Sequence, residues 1–297
     1  MKIAHLRHAL IALTLIISFS HNTLAKSFTV IDDDQYAVTF EKPAKRIISL
    51  SPHATELLFS AGATNQIIAA VNYSDHPPQA KTIPRIGSYK KIDLESVVKF
   101  KPDLIIAWNS GGHEQQISDL KKLGFKLYFS EPRSFEDVAS NIINMGKILG
   151  TTEVANSNAA IYLKELKRLH KKYNNLKKLN VFYQVWNKPL MSINNGHLIS
   201  KVIQFCGGHN VFGNVTIRAP KVGIESVIEK NPDAIIIGMS EDRKDWVEPW
   251  YKWQSINAVK NKHVYSVNAD LIVRQGPRIL QGTSLVCEAL DKVRNSL

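Results

Sequence analysis

Two stretches of this 297-residue chain, IDLESVVKFKPDLII from Ile92 to Ile106 and VGIESVIEKNPDAII from Val222 to Ile236, match without a gap at an offset of 130 residues. Leu94-Glu95-Ser96-Val97 recurs as Ile224-Glu225-Ser226-Val227, and Pro102-Asp103 recurs as Pro232-Asp233. In each copy, apolar residues at helical spacing give way across a Pro-Asp turn to an uninterrupted apolar run. That pattern reads as a short helix feeding a buried strand, half of a βαβ unit. One such join is common in α/β proteins; two with a Glu at the same place indicate one unit used twice. The length allows two lobes, each burying its own core.

The N-terminus is set aside first. Lys2 and Arg7 precede an apolar run from Ala9 to Phe19, and Thr23-Leu24-Ala25 offers the small residues a signal peptidase reads. Residues 1–25 are therefore expected to be a cleaved signal, because the run falls short of the roughly twenty apolar residues of a membrane span. No Cys follows Ala25 to carry a lipid. The mature chain is expected to be soluble and exported, in the periplasm. An oxidising compartment favours pairing of Cys206 with Cys287, with two separate buried thiols as the alternative. The formal charge of +12 raises nucleic acid as a partner. The cations are scattered, however, and the densest cluster, Lys164 to Lys172, carries leucines at helical spacing and reads as a solvated helix face. No nucleic-acid partner is expected.

Phe28 to Phe40 reads as a hairpin turning at Asp32-Asp33-Asp34. Strands follow at Arg46–Leu50, Ile67–Val71, Leu104–Ala107 and Lys126–Phe129. Helices are expected at Ala54–Ala61 (capped by Ser51, with Pro52 first and Gly62 ending it), Leu94–Phe100, Gln115–Leu123 and Phe135–Leu149. A long amphipathic helix from Thr152 to about Leu176, with apolar positions Val154, Ile161, Leu166, Leu169, Tyr173 and Leu176, would span roughly 35 Å. A second set of elements comes after it: Val181–Val185, Leu190–Ile193, His197–Phe205, the second repeat copy, Ala234–Ile237, Val264–Val267 and Pro277–Leu290. The fold class is α/β: a lobe over 26–151 and a lobe over 179–297, each with a mostly parallel sheet flanked by helices, joined by one long α-helix over 152–178. A single stiff connection predicts small hinge motion, and a cleft between two such lobes suits a ligand.

The loops after the strands are rich in aromatics: Tyr73 in VNYSDHPP, Tyr89 in IGSYKK, Trp108 in AWNSGG and Trp186 in QVWNKP. As a set they suit a flat, apolar ligand held by stacking, although each alone could be a packing residue. Asp270, Arg274 and Arg218 offer polar contacts; Arg218 taken alone reads as a surface ion pair. His53 and His76 could face the cleft but read better as satisfied polar residues. No His-x-x-x-His or Cys-x-x-Cys spacing, Gly-x-Ser-x-Gly elbow or phosphate-cradling glycine loop appears, so neither a metal site nor a catalytic set is expected.

With SPHATELLFSAG, YSDHPPQA and ESVVKFKPDLIIAW in order after a signal, the chain resembles the single-helix-hinge class of periplasmic substrate-binding proteins. LISKVIQFCGGHNVF and VGIESVI make it most similar to the cobalamin (vitamin B12)-binding members that serve ABC importers. The resemblance implies a monomeric, non-enzymatic receptor without a cofactor, its cargo a corrinoid. Tyr73, Tyr89 and Trp108 would line one side of the ligand, Asp270 to Arg274 would meet it from the other lobe, and Cys206–Cys287 would be a disulfide. Glu95 and Glu225 would dock onto the two membrane subunits, which a twofold partner would require of a pseudo-twofold pair; a helix-dipole role for each Glu stays open. The chain departs from its relatives at Ile217-Arg218-Ala219-Pro220 and Leu271-Ile272, where aromatics are common, and Trp186 is the residue expected to compensate. Haem or a ferric siderophore, drawn by Arg218, Arg274 and Arg278, is the alternative ligand. A secreted metal-dependent hydrolase would need a ligand cluster that the sequence does not offer.

Overall fold

The structure is a computed structural model and describes residues 27–88, 91–111, 114–173, 176–240 and 245–297. The expected signal at 1–25 and Tyr89 lie outside the described residues.

The first sheet contains β3 (Ile47–Ser49), β4 (Ile67–Ala70), β7 (Leu104–Ala107) and β8 (Leu127–Phe129), all parallel, in the order β4-β3-β7-β8. The second contains β9 (Leu179–Gln184), β10 (Gly208–Asn210), β11 (Ala234–Met239) and β12 (Val264–Asn268), also parallel, in the order β10-β9-β11-β12. Both sheets therefore run second-first-third-fourth. Most of these strands are buried on both faces, which is why they read as unbroken apolar runs.

The repeat accounts for the shared topology. Helix α2 (Leu94–Phe100) ends at Lys101 (φ 47°) and α7 (Ile224–Lys230) at Asn231 (φ 39°), both left-handed. A proline follows each, and the residue before a proline is disfavoured in the right-handed helical region, so neither helix can continue. The next residue then clamps the sheet. Asp103 accepts hydrogen bonds from the Lys45 and Arg46 amides at 2.8 and 3.0 Å, and Asp233 accepts from the Asn180 amide at 2.7 Å. Each aspartate thus ties the third strand of its sheet to the start of the first. Val97 and Val227, equivalent in the two copies, are fully buried in the outer core of their own lobes.

The longest helix among the described residues, α5 (Thr152–Tyr173), packs on α4 (Phe135–Leu149) of the first lobe and on α10 (Ile279–Arg294) of the second. One apolar cluster runs continuously from Ile47 and Leu104 through α5 to Val181 and Ile236. The buried face of α5 is the expected one at Leu166, Leu169 and Tyr173 but differs in the first half of the helix. Ala155, Ala159 and Tyr162 are buried, whereas Val154 and Ile161 are 49 and 63 % exposed. The close approach to α4 sets this face: Gly146 has no room for a Cβ because the Ala155 methyl fills that space. Small residues, rather than the bulkiest apolar ones, make the contact.

One further expectation is corrected. Leu190–Ile193 is not a strand of the sheet: Met191 makes isolated antiparallel bridges to Trp186 and Lys221, closing a tight turn around Pro189. Sequence reasoning missed β10, three residues long and opened by Gly208. The disulfide Cys206–Cys287 is present and ties the end of α6 (Leu198–Phe205) to α10.

The N-terminal hairpin, β1 (Phe28–Ile31) with β2 (Ala37–Phe40), turns as expected. Its aspartates do more than turn. The Asp33 amide donates to Phe129 O (3.0 Å), Asp32 Oδ2 accepts from the Phe129 amide (3.1 Å), and Asp33 accepts from the Glu131 amide (2.6 Å) and from Asn141 Nδ2 (2.9 Å). The hairpin thereby pins the end of β8. Burial pushes the Asp33 carboxyl up to about 6, outweighing the hydrogen bonds from Asn141 and the Glu131 amide. Because the folded value lies above the unfolded one, this contribution to stability is fully present below about pH 4 and is lost as pH rises to about 6, on the order of 2 kcal/mol. Asp33→Asn should therefore gain stability relative to the wild type between pH 4 and pH 7 in urea unfolding; parallel pH profiles for the two proteins would refute the assignment.

Candidate functional site

In open parallel sheets the ligand crevice forms beyond the carboxyl ends of the strands, where the strand order reverses. In the first lobe that point lies between β3 and β7, whose ends lead into Ser51 and Trp108. In the second it lies between β9 and β11, and β9 leads into Val185-Trp186.

Ser51 Oγ accepts from the Ala54 amide (3.3 Å) and caps α1 (Pro52–Ser60). His53, in the first turn, is buried, with Nε2 3.0 Å from the Ser130 carbonyl. A carbonyl only accepts, so Nε2 carries the proton. Burial holds the imidazole below its ordinary range, and His53 is a neutral, satisfied polar residue, as expected. Its ring meets Trp108 edge to face at 5.5 Å. Trp108 is thus held from behind by α1 while remaining half-buried. Tyr73 is 66 % exposed and sits at φ 66°, a conformation uncommon outside glycine that recurs at functional loops. Trp186 is 41 % exposed; its indole N–H donates to Lys188 O (3.0 Å), and its ring meets Trp246 at 5.5 Å, edge to face.

The charged groups cross between the lobes. Glu131, after β8, is 2 % exposed and receives Arg218 Nη1 at 2.6 Å, with the Ser110 amide at 3.3 Å. Arg218 is therefore an inter-lobe partner rather than half of a surface ion pair, because the carboxylate it meets is desolvated and belongs to the other lobe. Burial raises the Glu131 carboxyl, but Ser110, Arg218 and Arg133 together leave it below the ordinary carboxylate range. His197, next to this pair, is pushed down to about 4, first by burial and then by the Arg218 charge; its Nδ1 accepts from the Ile199 amide.

On α1, Glu56 is 2 % exposed and takes a two-pronged fork from Arg278: Nε to Oε2 at 3.0 Å and Nη2 to Oε1 at 2.7 Å. Arg274 reaches Glu56 at 3.2 Å, Asp75 at 2.8 Å and Asp270 at 2.9 Å. Burial raises Asp75, but the hydrogen bond and charge of Arg274 outweigh it and leave that carboxyl low. The structure thus brings together the expected pair Asp270 and Arg274, on and beyond α9 (Ala269–Ile272), and joins them to the loop that carries Tyr73. Several buried polar atoms on these loops, Ser74 Oγ, Trp108 Nε1 and both amide atoms of Gln275, lack a partner among the described residues, a concentration that calls for an explanation.

Sequence reasoning missed Glu56, Asp75, Glu131 and Trp246. Glu56 had a signal: a lone carboxylate among Ala54, Thr55, Leu57 and Leu58 on a buried helix. Trp246 had another, three tryptophans within eight residues (Trp246, Trp250 and Trp253). Glu95 and Glu225 are both exposed in the first turns of α2 and α7, and neither side chain makes a hydrogen bond or ion pair among the described residues. No helix among the described residues is long and apolar enough to cross a membrane.

Two like sheets with facing crevices, an aromatic rim and ion pairs across the gap define a two-lobed ligand-binding protein. The family model for periplasmic binding proteins matches residues 47–271, and the chain belongs to that family. It is 36 % identical over 247 residues to the vitamin B12-binding protein of Vibrio vulnificus (strain YJ016), covering 83 % of this chain and 90 % of that one. It is 35 % identical over 268 residues to the vitamin B12-binding protein of Vibrio cholerae (strain ATCC 39315), covering 90 and 96 %. The crystal structure of periplasmic vitamin B12 binding protein BtuF of Vibrio cholerae superposes with a TM-score of 0.80 at 36 % identity, covering 85 % of this chain and 98 % of that one. The haem-binding protein RhuT from Roseiflexus sp. RS-1 superposes at 0.74 with 18 % identity, over 84 and 99 %, a likeness of fold alone.

Arg218→Ala strips Glu131 of its cross-lobe partner. The expected loss is about 1 kcal/mol of unfolding free energy at pH 7, reduced from the fully buried value because the arginine is partly solvated. Since the Glu131 value is depressed in the fold, the loss should fade as pH falls through the carboxylate range. An equal loss at pH 3 and pH 7 would sink the assignment.

Proposed function

We propose that this chain is an exported, non-enzymatic receptor that captures cobalamin or a related corrinoid between its lobes and delivers it to the membrane subunits of an ABC importer. The observation that carries the reading is the 36 % identity to vitamin B12-binding proteins over most of both chains. The site supports it. Exposed Tyr73 and Trp186 and half-buried Trp108 offer broad faces to a flat macrocycle, and Arg274 with Asp270 offers a donor fork and an acceptor to amide-bearing side arms. Trp186 is already backed by Trp246, so presenting its face costs little ordering entropy.

Calorimetric titration of the mature chain separates the possible ligands. Cyanocobalamin should bind one to one with a dissociation constant below about 1 μM, a free energy beyond about 8 kcal/mol, and haem and a ferric siderophore should bind far more weakly. No heat with micromolar cyanocobalamin would overturn the reading, and tight haem binding would replace it.

Glu95 and Glu225 are assigned to the importer. They occupy equivalent turns of equivalent helices, exposed and unpaired, which suits contact with cations on a twofold membrane partner. Reversing both to Lys should weaken association with the reconstituted importer at least about tenfold while leaving cobalamin affinity unchanged. An equal loss of ligand affinity would move these residues into the ligand site or the fold.

A further inference from the structure

Arg274 is 9 % exposed and engages three carboxylates, which differ in how firmly they are held. Glu56 is 2 % exposed, and both of its oxygens are also gripped by Arg278, so leaving would strand buried charges in both lobes. It is also hemmed in by the backbone: a Cβ on Gly276 would lie 3.4 Å from its Oε2. Asp270 is four residues before Arg274 on the same segment and moves with it. Asp75 is different. Its carboxylate is 43 % exposed, it belongs to the opposite lobe, and Arg274 Nη1 is its one side-chain partner among the described residues. It sits two residues after Tyr73, on a loop that this single bond ties across the cleft.

Both Nη1 hydrogens of Arg274 are taken, by Glu56 and Asp75, so a ligand oxygen that binds Nη1 must take the place of one of these two. We propose that Asp75 is the carboxylate a ligand displaces, so that it gates access to Arg274, and that Glu56 is the positioning residue that holds Arg274 and Arg278 in place before and after the exchange. This rests on the cleft being the ligand site, the reading given above. Displacement frees the Tyr73 loop from the far lobe at the moment the ligand arrives, so the tyrosine can settle on it. The Glu56–Arg278 fork keeps the lobes in register meanwhile.

The two roles predict effects of opposite sign, which a merely structural network would not give. Asp75→Asn removes the competing charge and should raise cyanocobalamin affinity about threefold to fivefold, the range of a partly solvated ion pair. The gain should appear mainly in the association rate measured by stopped flow. Glu56→Gln should lower affinity about tenfold or more, mainly through faster dissociation. Arg278→Lys, which keeps the charge but loses the fork, should shift affinity in the same direction by less and guards against a folding failure of the Glu56 variant.

The proposal is overturned if Asp75→Asn weakens binding or leaves the association rate unchanged, or if Glu56→Gln and Arg278→Lys both bind with wild-type affinity. Failure of the ligand reading would show in the wild-type titration, before any variant is made. A wild type that binds haem instead is tested with the same variants and haem, and the same pattern of signs is required.

Discussion

Glu56 and Glu131 are acids of the first lobe, each 2 % exposed, and each is neutralised by arginines of the second: Arg278 and Arg274 for one, Arg218 for the other. A carboxylate removed from water costs several kcal/mol unless it is paired and hydrogen-bonded. Parting the lobes would leave Glu56 without its arginines and Glu131 with only Arg133 of its own lobe, 4.0 Å away. The lobe angle is therefore set at two separate points as well as by α5, and the continuous core along that helix resists bending between them. Large opening is disfavoured by this arrangement, while small adjustments that keep the Glu56–Arg278 fork remain open.

The site depends equally on how each sheet is built. The aspartate after each proline fixes the third strand against the first, and the order reverses between those two strands. That reversal opens the crevice. Trp108 and Trp186 leave the sheets beside that reversal, Trp108 at the end of the third strand of its lobe and Trp186 beyond the end of the first strand of the other. The duplicated segment thus serves binding indirectly, through topology, since neither Pro-Asp turn approaches the cleft loops. Behind each tryptophan stands a second ring, His53 for Trp108 and Trp246 for Trp186. Both pairs meet edge to face, an arrangement that orients the tryptophan while leaving much of its surface uncommitted.

The division between what the sequence reveals and what it hides follows the range of the interactions. Strand β7, helix α2 and the cap of α1 are legible because their determinants lie within a few residues: an apolar run, a helical period, Ser51 before Pro52. The ion pairs that close the cleft join residues 87 to 222 positions apart, and no local pattern encodes them. Arg218 read as a surface charge because its partner was invisible. The face of the first half of α5 is hidden for a related reason, whereas Leu166, Leu169 and Tyr173 farther on are legible: hydrophobicity ranks Ile161 above Ala155, but Gly146 on α4 leaves a hollow that only a small side chain can enter. Strand β10 carries almost no signal of its own, and its partner β9 supplies the pairing.

The paired glutamates of the repeat set a different problem, since local physics explains each of them singly. A carboxylate in the first turn of a helix gains from the helix dipole, by under about 1 kcal/mol at an exposed site. That gain would be available equally to Asp, and equally to a glutamate drawn into a salt bridge. Yet in a chain with 38 lysines and arginines, neither Glu95 nor Glu225 has a cation partner among the described residues. Glu114, Glu136 and Glu153, also exposed in the first turns of their helices, share this lack of a partner among the described residues, so what sets Glu95 and Glu225 apart is their equivalence in the repeat. The dipole accounts for a carboxylate at each position singly, but it does not require that the two stand at equivalent places of the repeat. The proposed contact with a cationic surface that meets both lobes together would make use of that equivalence.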